Sequence, residues 1–130
     1  MTDYDGTIVV SDLGHHLQNT VLGQNGGGIE VPARRIETIA ADLGIDCMDL
    51  LKMNIEGAEA AAIRGVGPLL ASTRHVCISC HDFLADDGGP VELRTKEFVR
   101  DFLQEHGFHL TTRDDAAEPW TRDYVYGANE

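Results

Sequence analysis

Basic side chains are scarce in this chain: 10 Lys and Arg stand against 22 Asp and Glu, a formal net charge of −12. A surface of that sign repels a nucleic-acid backbone and an anionic membrane face, which argues against both as partners. Long hydrophobic runs are missing too. No stretch approaches the roughly 20 apolar residues that a membrane span needs. The opening Met1-Thr2-Asp3-Tyr4-Asp5 is acidic where a signal peptide is basic and then apolar, so a cytoplasmic location is expected. Only three cysteines occur, Cys47, Cys77 and Cys80, and in that setting they are expected as reduced, mostly buried thiols. Cys77-Ile-Ser-Cys80-His81 matches the CxxCH pattern of covalent haem attachment. The segment is strand-like, however, which sends the two thiols to opposite faces, and the second CxxC of a structural zinc site is lacking. Neither haem nor a bound metal is expected. Also lacking is a glycine-rich turn that opens a helix. The one glycine cluster, Gly26-Gly27-Gly28, runs into the β-prone Ile29-Glu30-Val31, whereas a phosphate or ribosyl cradle needs its amides at a helix N-terminus.

What is present suits one α/β domain spanning residues 1–130, because 130 residues with 42% apolar content bury one core and not two. Thr7–Ser11 and Asn19–Leu22 read as short strands around the turn-prone Gly14-His15-His16, a hairpin with a long loop. Ile29–Val31 reads as a third strand ending at Pro32. Ile36, Ile39, Ala40 and Leu43 recur at helical spacing, with Gly44 as the stop. Asp49–Ile55 reads as a buried parallel strand, apolar on both faces apart from Lys52 and Asn54.

An alanine-rich helix from about Ala58 to Arg64 follows, interrupted by Gly65-Val66-Gly67-Pro68 before Leu69-Leu70 packs back. His75–Cys80 is the next strand and Asp82–Arg94 a polar loop. Thr95 is the expected N-cap of a helix with Phe98, Val99, Phe102 and Leu103 in one stripe, closed by Gly107. Phe108–Thr112 and Arg122–Tyr126 read as two final antiparallel strands, joined by an acidic, exposed linker over Asp114–Pro119.

The most informative stretch is Asp49-Leu-Leu-Lys-Met-Asn-Ile-Glu-Gly-Ala-Glu59, a strand that breaks into polar residues and then a helix. In open α/β sheets ligands bind at the carboxyl ends of strands. If this strand and His75–Cys80 are parallel neighbours, Asn54 and Glu56 come close to His81 and Asp82. A histidine titrates near neutrality and is the natural base, with Asp82 or Glu56 to orient it. Glu56 has a second reading as a cap on the following helix, and for Glu59 a structural role is favoured. Asn54 suits hydrogen bonding to a ligand, and Lys52 either joins it or reaches past the sheet edge to a carboxylate. Trp120 either packs over the sheet edge or lines a substrate mouth.

Leu50–Glu59, then Ile63-Arg-Gly-Val-Gly-Pro-Leu-Leu70, then the strand ending Cys80-His81, resemble the C-terminal half of FkbM-type methyltransferases. That family reads roughly "lKiDvEGaE", "vlkGa…lL" and "iE.H". Asn25–Ile36 fits the segment leading in, so the likeness covers about residues 20 to 112. Asn54 stands where the family has Asp, and Cys80 where it often has Glu.

The resemblance implies a Rossmann-like, class I methyltransferase sheet, mostly parallel with flanking helices. It also implies S-adenosylmethionine as methyl donor and a hydroxyl on a small molecule or sugar as acceptor. The residue reading above makes His81, Glu56 and Asp82 the expected catalytic residues, and Asn54, Lys52 and Glu59 the expected substrate-binding ones. The family's "D.GAn.G" cofactor turn has no counterpart, which makes an incomplete copy of the fold the expectation. A partial sheet leaves an open edge that invites a homodimer. The other reading of the same departures is a non-catalytic α/β remnant or interaction module.

His15-His16 reads as a solvated loop pair. Asp82, Asp86 and Asp87 read as a solvated acidic loop without an EF-hand pattern. His106 and His109 flank a helix end.

Overall fold

The computed structural model describes residues 1–11 and 28–129. The expected strand Asn19–Leu22, the pair His15-His16 and most of the glycine cluster lie outside the described residues. Two sheets form. Strands β1 (Gly6–Ser11) and β2 (Gly28–Ala33) make an antiparallel ribbon in which Ile8 faces Val31. The described partner of β1 is therefore β2. Strand β2 does not stop at Pro32 but passes through it, with Pro32 opposite Thr7. A two-stranded ribbon has outward-facing edges where a proline nitrogen needs no acceptor, so the residue is tolerated.

Helix α1 (Ile36–Leu43) begins where Asp5 supplies the cap that its own N-terminus lacks. The carboxylate accepts from the Arg35 amide at 3.0 Å and the Thr38 hydroxyl at 2.7 Å. The helix ends at Gly44, whose φ of 67° lets the Ile45 amide return to the Ala40 carbonyl at 2.8 Å.

The second sheet carries the core. Strands β3 (Met48–Asn54), β4 (Thr73–Ser79), β5 (His109–Thr112) and β6 (Tyr124–Ala128) lie in the order β3-β4-β6-β5. β3 and β4 are parallel, with Asn54 opposite Ser79 at their tips. β6 is antiparallel to both its neighbours, as expected for the last two strands. The sheet is thus mixed, with one parallel pairing, and corrects the expectation of mostly parallel pairing. A reversed β6, reached through a short connection from β5, slots between β4 and β5.

A further correction concerns β3. It is an edge strand among the described residues and buries one face, with Leu51 and Met53 inside and Leu50 58% exposed. An edge strand lacking cover on its outer face reads in sequence like a buried one, because Leu50 is apolar either way.

Helix α2 (Glu59–Arg64) and a 3-10 turn over Gly67–Ser72 cross from β3 to β4. Helix α4 (Lys96–Glu105) packs Val99 and Leu103 against the same core, which also holds Met53, Ile63, Leu70, Ile78 and Val125. Burying each such side chain contributes on the order of 1.5–3 kcal/mol. Residues 82–94 are not a plain loop: they form the short helix α3 (Asp82–Asp86) and a 3-10 turn over Val91–Leu93. Arg122 belongs to the short helix α5 (Pro119–Arg122) and not to the last strand. Among the described residues no helix is long and apolar enough to cross a membrane.

Candidate active site

The two parallel strands deliver their tips side by side, and the loops that follow each tip build the site. After Asn54, Glu56 adopts a left-handed φ of 52° and Gly57 one of 94°. A non-glycine residue in that region costs on the order of 1–3 kcal/mol, and such strain concentrates at functional sites. The kink reverses the chain into α2 and leaves the Glu56 side chain one-third exposed.

His81 follows β4 by two residues and is buried. Its Nε2 lies 3.3 Å from Glu56 Oε1 and its Nδ1 3.0 Å from Glu59 Oε1. Sequence spacing and topology therefore bring Asn54, Glu56 and His81 together as expected.

Glu59 takes a larger part than its position suggests. It is wholly buried, and Oε1 accepts from the Ile55 and Gly57 amides at 3.2 Å each as well as from the His81 ring. Oε2 accepts from the Thr95 hydroxyl at 3.2 Å. A buried carboxylate is tolerable when its lone pairs are met this fully. Thr95 sits at the N-cap of α4, but its hydroxyl is spent on Glu59. The capping falls to Asp82, whose Oδ1 accepts from the Thr95 and Lys96 amides at 2.9 and 3.0 Å. Asp82 thus ties α3 to α4 and does not reach His81, whose two ring nitrogens are taken by Glu56 and Glu59.

The electrostatics follow from this clamp. Burial opposes a charge on His81, but the Glu59 and Glu56 carboxylates outweigh it and raise the imidazole above its usual value. Burial likewise opposes a charge on Glu59, and the bonds from His81 and from the backbone outweigh it and lower the acid. Both directions favour an imidazolium held by a carboxylate. His81 contributes stability that is complete below about pH 6.5 and is lost as pH rises through its raised value. Glu59 contributes stability that is complete above about pH 4.5 and is lost as pH falls through its lowered value. The clamp is at full strength between those limits.

Burial pushes the Cys80 thiol up to about 12, so it packs as an apolar side chain rather than a nucleophile. Cys77 is half-buried and Cys47 exposed, the latter against the expectation of burial. Asp123 is buried beside the site, and burial raises its carboxyl. It accepts from the Phe83 amide at 2.6 Å, while its carbonyl accepts from the Cys80 amide at 2.9 Å, which pins the His81 loop to β6.

A cavity of about 800 Å³ opens at the strand tips. Asn54, Ser79 and Tyr124, one cross-strand row, line it together with Glu56, His81, Phe83, Asp87 and Trp120. Lys52, Glu59 and Asp82 do not line it. Lys52 lies mid-strand and exposed, and Glu59 acts from behind His81. Trp120 takes the second of its two readings, at the mouth of the cavity and 55% exposed. Ser79, Asp87 and Tyr124 were not singled out by sequence. Ser79 joins Asn54 through the parallel register of β4 with β3, and Tyr124 joins Ser79 through the antiparallel register of β6 with β4, neither of which leaves a local signal.

The fold and site define an α/β domain with polar strand tips gathered at a cavity, and residues 2–110 match the methyltransferase FkbM domain. The chain belongs to that family. The AMB antimetabolite synthetase AmbE of Pseudomonas aeruginosa is 30% identical over 92 residues, which cover 70% of this chain. The match spans 4% of that synthetase's length. No solved structure matches the chain.

Proposed function

We propose that this chain supplies the acceptor side of an S-adenosylmethionine-dependent methyltransferase acting on a hydroxyl of a small molecule or sugar. The observation that carries the reading is the Glu56–His81–Glu59 alignment facing a cavity at the tips of two parallel strands. Methyl transfer to oxygen needs a desolvated pocket, an aligned approach and a group that takes the hydroxyl proton. Both His81 ring nitrogens are engaged by carboxylates and none is left to accept from a ligand, so Glu56, at the cavity wall, is the proton acceptor. His81 fixes the orientation of Glu56, and Glu59 fixes His81. Asn54, as an amide, hydrogen-bonds the acceptor and takes no proton.

The bound cofactor would supply an electrophilic methyl group. Its nucleoside cradle is not among the described residues. Gly88-Gly89 border the cavity but lead into Pro90 and a 3-10 turn, where no run of helix amides is presented. No step is therefore assigned to residues around the cofactor. The outer edge of β3, unpaired among the described residues, fits an incomplete Rossmann-like sheet in which further strands, or a second copy in a homodimer, would continue beyond β3.

The departures Asn54 and Cys80, with the missing cradle, favour one other reading, a non-catalytic α/β module. Titration with S-adenosylmethionine separates the two. A retained site gives a saturable rise in melting temperature, worth about 2.7 kcal/mol at a hundredfold excess over Kd, and transfers label from the methyl group to a hydroxyl acceptor. Neither a shift nor labelled product at millimolar cofactor would return the chain to the module reading.

A further inference from the structure

Charge is distributed unevenly around the cavity. Among the described residues two carboxylates border it, those of Glu56 and Asp87, and no Lys or Arg does. His81, on its wall, has two carboxylates as counter-charges, Glu56 beside it and Glu59 behind it. The basic side chains that follow the Gly88-Gly89 turn are engaged elsewhere. Arg94 is paired with Asp86 at 2.6 Å, and Lys96 with Asp114 at 2.7 Å and the Arg122 carbonyl. Three aromatic side chains also line it, Phe83, Tyr124 and Trp120, the last with over half its surface exposed, beside apolar Leu84, Pro90 and Leu93. Aromatic faces beside carboxylates attract organic cations, whereas a phosphate or carboxylate entering here would meet like charge and no guanidinium or ammonium to hold it.

We propose that the acceptor taken by this cavity carries a protonated amine, its ammonium resting against Asp87 and the aromatic side chains. The identification of that ligand as a methyl acceptor rests on the function proposed above; its binding does not. The same preference would hold a sulfonium, so the cofactor is the other possible source of the cation.

Trp120 is the single tryptophan of the chain, and its emission reports this cavity. Glucosamine, glucose and glucose 6-phosphate serve as probes that differ mainly in charge. Glucosamine is expected to give a saturable change in emission, glucose to bind roughly tenfold more weakly, and glucose 6-phosphate more weakly still. Asp87 is exposed and outside every helix and strand, so Asp87→Asn is expected to fold. The variant should weaken glucosamine about threefold to tenfold and leave glucose unchanged.

Equal binding of glucosamine and glucose, tightest binding of the phosphate, or an unaltered glucosamine titration in Asp87→Asn would overturn the inference. So would a saturable response to S-adenosylmethionine with none to glucosamine, which would assign the cation preference to the cofactor. Glucosamine binding without any methyl transfer would support the cation site and count against the methyltransferase reading alone.

Discussion

Glu56→Gln is expected to lower the turnover of methyl transfer by about 10²–10⁴-fold while the melting transition stays near that of the unaltered protein. The substitution keeps the shape of the side chain and its hydrogen bond to His81, and removes the capacity to take a proton. Glu56 is one-third exposed, so its amide remains solvated and little packing is lost. The backbone kink at φ 52° is unchanged, because Gln meets the same strain as Glu. Initial rates at saturating acceptor read the effect, with a thermal melt as the control for folding. A full rate in this variant would return Glu56 to shaping the strand-to-helix turn.

Glu59→Ala is expected to have the largest effect on stability, on the order of 3–5 kcal/mol. The change removes the acceptor of two backbone amides, one hydroxyl and the imidazolium together. What remains is a buried charge with one carboxylate partner fewer, and donors that no longer meet an acceptor. Total stabilities of small domains run to about 5–15 kcal/mol, so a large part of the folded population is at stake. Urea unfolding monitored by circular dichroism measures the shift in midpoint at constant slope. A loss below about 1 kcal/mol, the scale of an exposed ion pair, would show that Glu59 is not the anchor of the site.

How much of this was legible in the sequence depends on the reach of each signal. Local periodicity placed α1 and α4, since Ile36 and Ala40, and Val99 and Leu103, do fall on buried faces. The apolar run before Asn54 and the one before His81 were enough to argue parallel neighbours, and with them the meeting of Asn54, Glu56 and His81. What sequence could not carry was competition among acceptors of the same chemistry. Asp82 and Glu59 are both carboxylates near His81, but Asp82 is drawn to the first amides of α4, while Glu59 opens α2 and is buried against the imidazole. A structural role for Glu59 is legible from its place at the start of the helix, but its full burial against the histidine is not, because a buried glutamate is rare. The edge position of β3 and the cavity wall supplied by Ser79 and Tyr124 depend on which strands are neighbours, and no stretch of the chain records that alone.

The central claim is that His81 is a buried imidazolium clamped between Glu56 and Glu59. An NMR titration of the ring nitrogens in 15N-histidine-labelled protein tests it most directly, with His81→Asn for assignment. The account predicts two protonated nitrogens at pH 6.5, loss of the ring proton only above the ordinary histidine range, and a downward move of that midpoint in Glu56→Gln. A neutral ring with one bare nitrogen at pH 6, unaffected by Glu56→Gln, would contradict it.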